Sequence, residues 1–122
     1  MTGLHGKVAI DTTNAVGGRP GGFESLAHQV KSIVGGPTAK AFNTIFARKY
    51  GEVAGASPRP SCLWCGDDDA NDATTQLIHD AGFDPVRIGG LDSATALEDL
   101  LLNVVFPATE DRGGPFLYRI GL

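Results

Sequence analysis

The stretch CGDDDAND, Cys65 to Asp72, packs four aspartates into eight positions directly after a mostly apolar run. Carboxylates grouped at a strand end are what a magnesium site or an Asp-based phosphotransfer enzyme uses, with further oxygen ligands from other loops. The same residues also suit the start of a helix. Asp67 or Asp68 at the N-cap, with Asp69 and Asp72 in the first turn, would face unpaired backbone N–H groups and the positive end of the helix dipole. Each such carboxylate contributes about 0.3–1 kcal/mol with no metal required. Three adjacent side chains splay apart, so few could share one ion, and a helix start is the reading expected.

Cys62-Leu63-Trp64-Cys65 has the CxxC spacing of redox and zinc sites. A redox pair lies at a helix N-terminus, where the dipole lowers the thiol pKa. This pair lies within a strand-like run, where positions i and i+3 face opposite sides and cannot form a disulfide. A structural zinc needs a second ligand pair, and the chain has no other cysteine. Two buried, reduced thiols are expected. His5, His28 and His79 share no spacing and suggest no metal triad. GxSxG, GxxxxGK[ST] and HExxH are absent, and GGRPGG (residues 17–22) reads as a flexible loop.

The elements that must position these groups are short. Lys7–Thr13 and Thr38–Thr44 read as strands closing on polar residues, as do Ser61–Gly66 and Asp84–Gly90. Helices are expected from Phe23 to Val34, from Ala70 to Ala81, and from Asp92 or Ser93 to Val105. Their apolar stripes are Leu26, Val30, Ile33 and Val34, then Ala73, Leu77, Ile78 and Ala81, then Leu97, Leu100, Leu101 and Val104. Pro107 is expected to end the last helix, leaving a tail to Leu122. Residues 46–60 read as a mixed loop with room for a turn of helix. This order points to an α/β domain with a mainly parallel sheet, whose ligands sit outside the strands' carboxyl ends. Those ends are Thr12–Ala15, Asn43–Ile45, Gly66–Asp68 and Gly89-Gly90.

With 122 residues, 42% of them hydrophobic, the chain is long enough for one self-supporting core. A net charge of −4, with ten Lys and Arg spread thinly, argues against nucleic acid as a partner. No apolar run reaches the roughly 18 residues of a membrane span, and the N-terminus lacks a signal-peptide layout, so a cytoplasmic protein is expected.

Taken in order, GKVAIDTTNAVG, KAFNTIFA, CGDDDANDATTQLIHDAGFDPVRIGGL and GGPFLYRIGL resemble the C-terminal half of NADP-dependent oxidoreductases that use the deazaflavin coenzyme F420. The resemblance runs from Lys7 over nearly the whole chain. It implies an α/β fold: a partial Rossmann-like, doubly wound sheet of about four strands with three helices, in a single domain over residues 1–122. It implies cofactors NADP and coenzyme F420 and hydride transfer between them, with no catalytic acid or base and no metal. Residue by residue, Asn14, Ala15 and Ala47 would lie by the nicotinamide end of NADP. Asn43, Thr44 and Ile45 would separate nicotinamide from deazaflavin, and Leu117 would touch the deazaflavin. Such enzymes begin with a βαβ unit carrying GxGxxG, which this sequence lacks. Ala15 also stands where a proline is usual, and Phe46 where a proline or small residue is common. A truncated or partner-dependent enzyme is therefore expected, weak or inactive alone, with a non-catalytic dimeric scaffold as the alternative. The Lys7–Thr13 strand, left as an edge, is expected to pair with a second copy or a partner chain.

Overall fold

The computed structural model describes residues 7–121; His5 lies outside the described residues. Four strands form one sheet in the order β1 (Ala9–Asp11), β2 (Thr38–Lys40), β3 (Ser61–Gly66), β4 (Asp84–Gly89). β1–β2 and β3–β4 pair in parallel, but β2 and β3 run antiparallel through Ala39↔Gly66 and Lys40↔Cys65. The sheet is mostly parallel, as expected, yet its two halves point in opposite directions. The strand ends read from the sequence as one rim therefore separate. Thr12–Ala15 and Asn43–Ile45 lie at one edge, while Gly66–Asp68 and Gly89-Gly90 lie at the other.

Local chemistry shortens the first two strands. The Asp11 carboxylate accepts from the Thr13 N–H at 3.0 Å and the Thr13 hydroxyl at 2.6 Å, turning the chain out of β1. Beyond Lys40 the chain bends at Phe42, which adopts φ +66, and the Ile45 N–H closes back on the Phe42 carbonyl at 3.2 Å. A bulky side chain at positive φ costs of order 1–3 kcal/mol, so surrounding packing must hold it.

α1 (Leu26–Val34) starts later than the hydrophobic pattern suggested. Ser25 is its N-cap, accepting from the His28 N–H at 3.1 Å, and Gly35 at φ 73 closes it. α2 (Tyr50–Val53) is a short helix in the region read as a mixed loop. α3 (Asn71–Asp80) follows a tight turn over Asp68–Ala70 and buries Thr74 and Ile78, while Leu77 faces out. α4 (Ala94–Leu100), a π turn (Leu101–Val105) and α5 (Phe106–Arg112) run on as one rod. Pro107 does not end the helix. It sits in the first turn of α5, and the wider π turn before it absorbs the missing N–H and the ring's clash with the preceding turn. Counting that rod once gives four helices among the described residues, rather than three. Val104 proves 55% exposed, because the π turn rotates the buried stripe onto Leu101 and Val105.

Helices cover both faces. Ala39, Trp64, Ile78 and Phe83 centre one core, and Ala27, Cys65, Leu91 and Leu97 centre the other. Cys62 belongs to the first and Cys65 to the second, as strand alternation requires. Among the described residues, no helix is long and apolar enough to cross a membrane.

Candidate functional site

A cleft of about 470 Å³ opens at the carboxyl ends of β1 and β2. Thr12, Asn14 and Asn43 give it a polar side; Phe42, Ile45, Tyr50 and Leu77 give it apolar walls. Phe83 props the walls from behind, its ring centroid 6.0 Å from those of both Phe42 and Tyr50. Tyr50 stays 41% exposed and Leu77 49%, apolar surface of the kind a ligand covers. Asn43 is buried. Its Nδ2 donates to the Leu97 carbonyl at 2.9 Å and to Asn14 Oδ1 at 3.2 Å, while its Oδ1 has no partner among the described residues.

One residue along the chain from Thr12, and from the Leu97 carbonyl that holds Asn43, lies a buried ion network. Lys40 Nζ, fully buried, meets Asp11 Oδ2 at 2.6 Å and Glu98 Oε2 at 3.0 Å. Glu98 also accepts from Arg19 Nε at 2.9 Å and from the Leu26 N–H at 3.0 Å, where α1 begins. Arg19 reaches Asp99 at 2.8 Å, and this bond, with that to Glu98, raises its pKa. The network ties together β1, β2, α1, α4 and the glycine-rich loop after β1. Lone buried charges are costly, so each member is held by the others.

The structure brings Asn14, Asn43, Ile45 and Ala47 to one cleft. It does not bring the other three there. Ala15 is buried. Thr44 is buried as well, its hydroxyl 2.5 Å from Tyr118 Oη. Leu117 lines a neighbouring cavity rather than this one. Burial pushes the Tyr118 phenol up, against the hydrogen bond from Thr44. Sequence reasoning missed Lys40, Glu98, Arg19, Tyr50 and Tyr118. A signal existed for Glu98, which shares the α4 stripe with Ala94, Leu97 and Leu101. Lys40 likewise sits between Ala39 and Ala41 in a short strand.

The opposite edge is built differently. Asp67 stands at the N-cap position before α3 but makes no side-chain cap bond. Its carboxylate instead takes Lys31 Nζ at 2.5 Å and the Thr38 N–H at 2.9 Å. Burial works to raise its pKa, but the bonds from Lys31 and Thr38 prevail and hold it below the usual carboxylate value. Asp68 pairs with Arg87 at 2.9 Å, and Asp69 and Asp72 are exposed. Among the described residues, the one His/Asp/Glu group close enough for a cation is Glu24, His28 and Asp92, outside the aspartate run. Cys62 and Cys65 are free and buried, and burial pushes both thiols up to about 11.

No family model and no curated protein matches the chain. Among solved structures it is similar to a protein of Arthrobacter sp. FB24 named as a candidate F420-dependent NADP reductase. That likeness has a TM-score of 0.77 and 22% identity, and covers 98% of this chain and 61% of that one. A hypothetical protein of Sinorhizobium meliloti is similar over 73% of this chain and 48% of its own, with a TM-score of 0.56 and 26% identity. The chain thus spans less than two thirds of either neighbour's length. What these likenesses establish, with the topology above, is a doubly wound, Rossmann-like α/β fold shared with the Arthrobacter protein.

Proposed function

We propose that this chain is an oxidoreductase domain of the F420-dependent NADP reductase type, and that its cleft holds flat redox rings. The single observation that carries the reading is the convergence of Asn14, Asn43, Ile45 and Ala47 on one apolar-walled cleft at the carboxyl ends of β1 and β2. The fold shared with the Arthrobacter protein supports it. The residues suit a nicotinamide or deazaflavin ring. Apolar walls exclude water, and Asn43 Oδ1 is a buried acceptor still lacking a donor, which the N–H of a ring amide could supply. When bound, NADPH would supply a hydride and the deazaflavin would take it up. The chain's own part is positioning: Asn43 is locked by Leu97 and Asn14, and no acid or base is required.

The test is titration with NADPH and with coenzyme F420, followed by fluorescence, for the native chain and Ala47→Trp. Ala47 is exposed and lines the cleft, so tryptophan fills it without disturbing either core. Micromolar binding that Ala47→Trp abolishes at unchanged Tm supports the reading; no binding of either ring by the native, folded chain overturns it.

The free edge of β1 favours a second statement, that β1 pairs with another copy of this chain or with a partner segment. Its one sheet neighbour among the described residues is β2, and Val8, Ala9 and Ile10 are part-exposed. A monomer in light scattering at micromolar concentration would count against it.

A further inference from the structure

Beside the ring cleft lies a second cavity, of about 400 Å³. The tight turn Ala47–Lys49 divides the two: Ala47 lines the first and Lys49 the second. Across from Lys49 the wall is Arg112, at the end of α5, with Gly113, Gly114 and Phe116 of the segment that follows. Two cations thus converge from separate elements on one hollow. Lys49 shares a single carboxylate, Glu52, at 2.9 Å. Arg112 meets no carboxylate within salt-bridge distance among the described residues, and its guanidinium lies 6.0 Å from the Phe116 ring centroid. The side chains of the cavity therefore carry two positive charges against one negative.

An arginine in the last turn of a helix is ordinarily explained by the helix dipole. Here the terminal carbonyls are already served, Glu110 by the Gly113 N–H at 3.4 Å and Thr109 by the Gly114 N–H at 3.0 Å. The dipole accounts for the charge of Arg112, but not for its seat over an aromatic ring in a cavity wall. A guanidinium held over a ring and lacking a carboxylate is suited to bidentate contact with a phosphate or carboxylate.

We propose that this cavity receives the anionic tail of the deazaflavin whose ring occupies the neighbouring cleft, with Arg112 as the main contact and Lys49 as the second. The proposal rests on the ring-binding reading above. It assigns Leu117, absent from the ring cleft but lining this cavity, to the path of the tail. Coenzyme F420 carries both a phosphodiester and glutamyl carboxylates there, and either would satisfy the same cations.

The test compares the native chain with Arg112→Gln, first confirming equal Tm. Each is titrated with coenzyme F420 and with the deazaflavin lacking its tail. The expected result is a loss of about tenfold or more for the tailed ligand and no change for the bare ring. Equal affinity of both proteins for the tailed ligand overturns the proposal, as does an equal loss for the bare ring. Triglutamate and inorganic pyrophosphate, added as competitors, tell which anion is recognised. If neither ring binds, the ring reading has failed, and direct titration with the same two anions decides the cavity. Binding that Arg112→Gln removes supports an anion site; silence from both overturns it.

Discussion

The two edges of the sheet use the same kinds of residue to opposite ends. At the carboxyl ends of β1 and β2, charge is buried and mutually satisfied in Lys40, Asp11 and Glu98, while the cleft there leaves Tyr50 and Leu77 uncovered. At the carboxyl ends of β3 and β4, charge stays near water. Asp67 and Lys31 hold the start of the next helix to β2, and Asp68 with Arg87 sits outside. The first edge hides its ions and shows its apolar groups; the second does the reverse. Carboxylates at a strand end therefore do not by themselves mark a site.

That contrast can be broken by experiment, most sharply at Glu98. Glu98→Ala leaves Lys40 buried with half its partners and Arg19 with Asp99 as its one carboxylate, and should cost about 3–5 kcal/mol in chemical denaturation. A loss below about 1 kcal/mol, the range of surface pairs, would erase the distinction between the edges. Next comes the seam joining them. A Cβ on Gly66 would sit 2.7 Å from Ala39 Cβ, 2.8 Å from Ala39 Cα and 2.9 Å from the Thr38 carbonyl oxygen. Gly66→Ala must push backbone from backbone, and a cost of about 1–3 kcal/mol is expected from thermal melts.

Asp67→Asn belongs to the solvated edge and should cost about 1 kcal/mol. Because its folded pKa lies below the ordinary 3.8, the contribution of Asp67 is present above about pH 4. It is lost as pH falls through the lower folded value. Stability measured against pH should therefore decline less steeply below pH 4 in Asp67→Asn than in the native chain. The smallest effect is expected at Asp68, whose side chain is 93% exposed: Asp68→Asn should leave Tm unresolved from the native value. A clear drop there would mean that the second edge also depends on its ions.

Much of the fold was legible. β3 has the expected bounds, α1 ends at Val34 as expected, and β4 and α3 each end one residue early, because periodicity and glycine act locally. The direction of β3 against β2 was not legible. Side-chain alternation is identical for a strand and its reverse, so one expected rim became two. The rod through Pro107 was missed because proline reads as a stop unless a π turn precedes it, and that turn leaves no mark in residue type. Of the expected site residues, Asn14, Asn43, Ile45 and Ala47 share the cleft. Thr44, expected beside the rings, is instead turned inward, and the partner that turns it, Tyr118, comes from a distant part of the sequence.

Tyr118 carries a mechanical consequence. The seam between β2 and β3 has two register pairs, against five between β3 and β4. Across it, the Tyr118 hydroxyl joins Thr44, beyond the end of β2, to the Leu63 N–H in β3, while its carbonyl takes the Ser61 N–H at 2.8 Å. One phenol thus rivets the two half-sheets into a single plate. The wall of the cleft that begins at Asn43 keeps its gauge through a residue that never lines it. Drawing the rivet, as in Tyr118→Phe, would let the gap between the walls wander well before the plate itself came apart.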